Sequence, residues 1–207
     1  TDPMQPRNMS NKTPASVVAA LHKAVTEVAA PFAQRYYRLK AKHLGLPILG
    51  WGDRLAPMPF SDTTLIPFED AKQLVLEAYG SFSPTLQALV ARFFDEKRID
   101  APAAKIKQSG AYCSSAVFPG NMTESFVLLN YLGSPEDVMT LAHELGHGVH
   151  AFLAGEAQGV LMHDAPIAFC ETASIFGEMT TFNFLKEKLL ANGDKQALLA
   201  LLMTKID

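Results

Sequence analysis

The sequence predicts a mainly α-helical chain with one small antiparallel β-hairpin or sheet. Three observations carry that prediction: long stretches whose apolar residues recur at helical spacing, cap signals that bound them, and a single pair of β-favouring runs joined by a turn. Of 207 residues, 48% are hydrophobic and 19% charged, which suits a globular chain able to build a core. The net charge of −3, from 18 basic and 21 acidic residues, contains no long block of one sign. It gives no reason to expect nucleic acid or a membrane surface as partner. No apolar run reaches membrane-spanning length, and residues 1–15 lack the charged-then-apolar order of a signal peptide, so a cytoplasmic location is expected. Cys113 and Cys170 lack CxxC spacing and read as reduced packing residues. The chain starts without methionine and stops inside the amphipathic run "ALLALLMTKID", so a fragment of a larger helical protein is expected.

In order, Thr13 as N-cap and Pro14 at the first helical position open a long helix toward Gly45, with a kink expected before Pro31. "LPILGWGDRLAPMPF" (46–60) has three prolines and two glycines and reads as an irregular connection ordered by Trp51. Helices are expected at about 67–79, closed by Gly80, and at about 84–97, capped by Ser83. "GAYCSSAVF" (110–118) and "SFVLLNYL" (125–132), separated by a segment containing "PGNMT", read as the two strands of the hairpin. "SPED" then supplies Ser134 as cap, Pro135 at the first position, and Glu136 and Asp137 where carboxylates complement the helix dipole. That helix should run to about Ala154 and end at Gly155. Asp164 and Pro166 start another, reaching about Ala191 and closed by "NGD", after which a last helix begins. The chain thus divides into a leading helix and connection (1–60), helices and hairpin (61–133), and a final helical part (134–207).

The run "LAHELGHGVHAF" (141–152) places unusual chemistry on a helix that otherwise reads as buried. His143 and His147 are four residues apart, hence about 40° apart around the axis and about one turn along it, so both imidazoles can reach one ion. Glu144 projects beside them, where a water on the metal would sit; this is the geometry of HExxH. A catalytic zinc site takes three protein ligands, so a third is required. Glu156, Asp164, Glu171, Glu178, His150 and His163 are the candidates. His150 lies about 10 Å along the axis from His143 and is too far. Glu171 is the strongest choice: in "PIAFCETASIFGE" apolar groups surround its carboxylate, and a buried carboxylate needs a cation or full hydrogen bonding. Glu178, about two turns further on nearly the same face, is assigned to holding a ligand histidine or the substrate end of the site.

"AHELGHGVH" followed by "FCETASIFGE", with Glu171 28 residues after His143, resembles the zinc site of the oligoendopeptidase F family, relatives of thimet oligopeptidase. "RYYRLKAKHLGL", "DRLAP", "SGAYC" and "VLLNY" are similar to that family's pattern as well, so the resemblance spans nearly the whole chain. It implies a zincin-like, mostly helical peptidase that hydrolyses oligopeptides in a deep channel. His143, His147 and Glu171 would hold one Zn2+ per chain, and Glu144 would act as general base. Family members are much longer, with an N-terminal helical lobe and a later segment that supplies tyrosine and histidine groups to the transition state. This chain would then be a partial catalytic domain whose partners are oligopeptides and the remaining segments of the full-length protein, with 134–207 as the zinc-site helices.

Gly110, Ala111 and Tyr112 are expected to bind the substrate backbone by strand addition. Otherwise Tyr112 and Tyr131 read as hairpin packing, His163 as a loop residue, and His22 and His43 as surface. Two other functions are weighed. A non-catalytic zinc-binding or helical interaction module would keep the fold and lose hydrolysis. A membrane-bound metallopeptidase is disfavoured by the lack of spanning segments.

Overall fold

A computed structural model describes residues 2–58 and 65–205. The chain forms two compact units, Thr1–Asp62 with Lys195–Asp207, and Thr63–Asp194. The first contains α1 (Gln5–Ser10), α2 (Ala15–His43), a 3-10 turn (Trp51–Leu55) and α7 (Lys195–Thr204), with Tyr36, Met58 and Met203 buried together. α7 thus belongs to the unit of the leading helix. The short α1 carries no apolar periodicity that would have announced it.

The expected helix start shifts by one residue. Pro14 is the N-cap of α2, accepting the Val17 amide on its carbonyl, while the Thr13 hydroxyl turns back to the Asn11 carbonyl at 3.0 Å. α2 then runs on through Pro31. The connection after it is not ordered by Trp51, which is 83% exposed. Its order comes from polar bonds: buried Lys40 donates Nζ to the Arg54 carbonyl at 2.7 Å, and the Gly50 amide donates to Asp53 Oδ2 at 2.8 Å. Residues 59–60 of the expected connection, and 61–64 after it, lie outside the described residues.

The second unit contains α3 (Phe68–Phe82), α4 (Pro84–Asp95), β1 (Ile99–Pro102), β2 (Tyr112–Phe118), β3 (Met122–Tyr131), α5 (Pro135–Gln158) and α6 (Ile167–Asn192). The hairpin is present: β2 and β3 pair antiparallel from Tyr112 opposite Leu128 to Phe118 opposite Met122. Its three-residue turn places Gly120 and Asn121 at φ of 85° and 59°. The sheet is mixed rather than purely antiparallel, because β1 adds parallel to β3 in the order β1-β3-β2. Four residues ending in Pro102 give too little alternation to mark a strand. Along β3, Thr123, Ser125, Val127 and Leu129 alternate on the buried face, and α5 packs on this sheet.

Two glycines expected to stop helices instead allow contacts. α3 passes through Gly80 to Phe82, and a Cβ at Gly80 would lie 2.6 Å from Nε2 of Gln87, which donates to the Leu76 carbonyl. α5 passes through Gly155 to a C-cap at Gly159; a Cβ at Gly155 would lie 2.0 Å from Thr123 Oγ1 on the sheet. Ser83 occupies the N-cap of α4 but makes no side-chain cap bond. By contrast, Ser134 caps α5 through the Asp137 amide at 3.1 Å, and Asp137 returns the bond to the Ser134 amide at 2.9 Å, a reciprocal pair. Gly193, left-handed at φ 70° and ψ 15°, closes α6 as the sequence predicts.

What positions the site is the close approach of α5 and α6. A Cβ at Gly146 would lie 2.6 Å from the Ala173 carbonyl, and one at Gly177 would lie 1.9 Å from the Tyr79 hydroxyl and 2.9 Å from the Ala142 carbonyl. The fully packed Tyr79 donates that hydroxyl to Ala142 O at 2.9 Å, tying α3 to the turn of α5 that precedes His143. Gly177→Ala is therefore expected to destabilise the chain by about 1–3 kcal/mol, the usual cost of overpacking, read as a lower urea midpoint. An unchanged midpoint would show that the helices can separate without loss.

Candidate metal centre

α5 presents His143 and His147 on one face, and α6 brings Glu171 against them. The Glu171 Oε2 atom lies 3.3 Å from His143 Nε2 and 3.6 Å from His147 Nε2. One donor atom from each of the three residues falls within 4.8 Å of the others, and among the described residues this is the group of such donors that could hold an ion. The two imidazole rings stand nearly perpendicular, 83° apart, with centroids 5.0 Å apart.

The environment of Glu171 differs from the one expected. Its side chain is 42% accessible, and Phe169, Ile175 and Phe176 point outward, so apolar enclosure is not what singles it out. The reason is helical phase: Phe169 and Phe176 fall on the far side of α6 from Glu171, which turns toward α5, while Ile175, one turn after Glu171, lies exposed beside it. Ser174, fully buried one turn later, donates its hydroxyl to Glu171 Oε2 at 2.8 Å. Sequence reasoning missed Ser174, although its i+3 spacing from Glu171 was a readable signal.

Glu178 does not join the donor group. Its Oε2 lies 3.0 Å from Nδ1 of His143, on the opposite side of the ring from Glu171. A carboxylate there fixes the ring orientation and leaves Nε2 to face the other donors. Glu171→Gln is expected to weaken metal binding more than about a hundredfold, against about 10–100-fold for Glu178→Gln, as measured by competition with a chelator. The reverse ranking would exchange their roles.

Glu144 is only 7% exposed and lies on the wall of the same cleft. Burial pushes its carboxyl above the ordinary range; the His143 imidazole opposes this, nearby Glu171 adds to it, and the Cys113 backbone amide opposes it. Burial also lowers the His147 imidazole, against the pull of Glu171, and so favours the neutral ring that metals require.

The cleft has a volume of about 520 Å³ and is bounded on one side by Ala111, Tyr112, Cys113 and Ser115, from the edge strand β2 and the residue before it. Gly110 falls outside it, in a neighbouring pocket, with its carbonyl accepting from Asn130 Nδ2 at 3.0 Å. His150 and His163 both line the cleft; His163 Nδ1 lies 3.5 Å from Asp164 Oδ1. Neither belongs to the donor group. Cys113 and Cys170 are free thiols that also line the cleft, and burial pushes both up, so they stay protonated at neutral pH. Cys113 Sγ lies 3.2 Å from Ser125 Oγ. Tyr131 is a packing residue, its hydroxyl donating to the Ile66 carbonyl at 2.8 Å. His22 and His43 are exposed on α2.

Comparison with known proteins places the chain among peptidases. The chain is 32% identical over 190 residues to oligoendopeptidase F, chromosomal, of Lactococcus lactis subsp. cremoris, covering 91% of this chain and 30% of that protein. It is 32% identical over 181 residues to group B oligopeptidase PepB of Streptococcus agalactiae, covering 87% and 28%. A solved structure from Chlamydophila abortus superposes with a TM-score of 0.71 at 25% identity, over 96% of this chain and 33% of that one. PZ peptidase A, solved with an inhibitor, shares the fold at a TM-score of 0.70 and 22% identity, over 83% and 30%. The chain therefore spans about 30% of the length of these curated relatives. The model of peptidase family M3 matches residues 85–207, a stretch that holds the sheet edge, the histidine pair and Glu171 and Glu178 of α6, and the chain belongs to that family, with oligoendopeptidase F among its relatives.

Proposed function

We propose that this chain carries the zinc centre of a metalloendopeptidase acting on oligopeptides, and that it works as part of a longer protein. The observation that supports the reading is the convergence of two imidazole nitrogens and one carboxylate oxygen within 4.8 Å, beside a buried glutamate. That donor set fits Zn2+, one per chain, held by His143, His147 and Glu171. Zinc bound there supplies Lewis acidity toward water and the peptide carbonyl.

The chain's own residues do the rest. Glu144 takes a proton from the attacking water and delivers it to the leaving amine nitrogen. A carboxyl raised by burial suits both halves of that exchange, since its proton affinity sits closer to neutral pH. Glu178 holds the His143 ring from behind. The outer edge of β2 offers backbone groups at Ala111 and Tyr112 to an extended peptide, which reads shape more than side chains. Gly110 would act only by setting the start of that edge. No helix among the described residues is long and apolar enough to cross a membrane. A cytoplasmic location forms part of the proposal, supported by the two free cysteines.

The proposal predicts that binding and turnover separate. Metal binding needs only α5 and α6, whereas turnover also needs donors aimed at the charge that develops in the transition state, which the remaining segments would supply. The 207-residue chain should hold near-stoichiometric zinc and cleave a quenched peptide far more slowly than the complete gene product at equal zinc loading. Equal rates per zinc would show that the whole active site is already here, and absence of metal with all three donors intact would remove the zinc assignment.

A further inference from the structure

On the unit that does not carry the metal donors, a groove of about 890 Å³ opens beside the C-terminal half of α2. Tyr37, Ile48 and Trp51 give it an apolar floor, with Ile48 78% and Trp51 83% exposed. Arg38, Lys42 and Arg54 line it too, and among the described residues no acidic one does, the nearby Asp53 carboxylate being engaged by the Gly50 amide. The Arg54 guanidinium lies 4.7 Å from the centroid of the Trp51 ring, so a cation sits against the largest apolar surface of the groove.

We infer that this groove seats a polypeptide segment that carries an apolar side chain flanked by carboxylates. Charge complementarity sets its sign: three cations without a carboxylate among the described lining residues favour an acidic occupant and disfavour a basic one. Its source is the remainder of the longer protein, and that part rests on the reading given under the proposed function. The solved relative from Chlamydophila abortus covers 96% of this chain with only 33% of its own, so in that molecule one polypeptide carries twice as many further residues alongside the equivalent fold.

Trp51 is the single tryptophan of the chain, so its fluorescence reports the groove directly. The 207-residue chain is titrated with two synthetic peptides that share one central phenylalanine and differ in flanking glutamates or lysines. The acidic peptide is expected to shift the Trp51 emission saturably and to bind about tenfold more tightly than the basic one, with the difference shrinking as salt is added. Arg38→Glu combined with Lys42→Glu should reverse the preference, an outcome that loss of structure would not produce. In the complete gene product, Trp51, isolated as the difference from a Trp51→Phe form, should resist acrylamide quenching, and the acidic peptide should no longer bind.

Equal binding of both peptides, or none, would overturn the site. Retained peptide binding by the complete product would overturn its source, as would self-association of the 207-residue chain that buries Trp51, which would place a second copy there. Zinc content is measured in the same samples. A chain that binds the acidic peptide but no zinc would sink the metallopeptidase reading and leave the groove standing, and the converse would do the opposite.

Discussion

His143→Ala and His147→Ala are each expected to reduce the zinc content of the purified chain from near one ion to a small fraction of that, with binding weakened more than about a hundredfold. The expectation follows from the small number of donors. Three atoms converge, with Glu171 Oε2 reaching both imidazoles at 3.3 and 3.6 Å, so removing either ring leaves two protein donors. Zinc held by two residues is open to chelators and water, whereas three close most of its coordination sphere. The two substitutions should differ in what remains. His143 is held by Glu178 on its far nitrogen, so His143→Ala also removes a hydrogen bond from a carboxylate that is only 21% exposed, whereas the carboxylate beside His147, Glu171, is 42% exposed. His143→Ala should therefore lower the thermal midpoint in chelator as well, where no metal contributes. Metal analysis after dialysis, with circular dichroism to verify folding, reads both. Near-unit zinc in either variant would mean that another residue serves as ligand.

Much of this site was legible because it is local. His143, Glu144 and His147 lie on one helix whose cap, Ser134 with Pro135, was visible in the sequence, and helical geometry then fixes their relative directions. The place of Glu178 was legible for the same reason: two turns from Glu171 it could not share an ion, and it sits instead on the far nitrogen of His143. The environment of Glu171 was not legible. Composition suggested a buried carboxylate, whereas the phase of α6 leaves it 42% accessible and turned toward α5. Phase against a neighbouring helix is a tertiary property, and neighbouring apolar letters do not state it. The misread glycines make the same point. Gly80 and Gly155 look like helix stops in a one-dimensional reading, yet each lies where a side chain from another element, Gln87 or Thr123, would collide with a Cβ. The Tyr79 bond to Ala142 spans 63 residues, and nothing near either residue announces it. β1 was hidden by its brevity, and its pairing with β3 is set from outside its own four residues.

Glu144→Gln is expected to abolish most peptide hydrolysis in the complete gene product, by about 10²–10⁴-fold, while leaving zinc content unchanged. The two halves of the prediction rest on different observations. Zinc should persist because Glu144 is absent from the group of converging donors, and an amide of nearly the same shape preserves the packing of a residue that is 7% exposed. Folding should persist too. Burial already pushes the Glu144 carboxyl toward its neutral form, so a neutral amide removes a desolvation cost and keeps an oxygen for the Cys113 backbone amide. Hydrolysis should fail because an amide cannot take a proton from water and return it to the leaving nitrogen, and among the described residues no other carboxylate lies where it could substitute. Glu171 is engaged with both imidazoles and Ser174, Glu178 lies behind His143, and Asp164 has a side chain 96% exposed. Turnover and zinc are measured on the same preparation, across pH. Full zinc with full activity would place the base elsewhere in the protein and leave this centre a structural one; loss of zinc together with activity would make Glu144 part of the metal's support. Loss of activity alone separates the proton carrier from the ligands, because Glu144 then serves turnover without holding the ion.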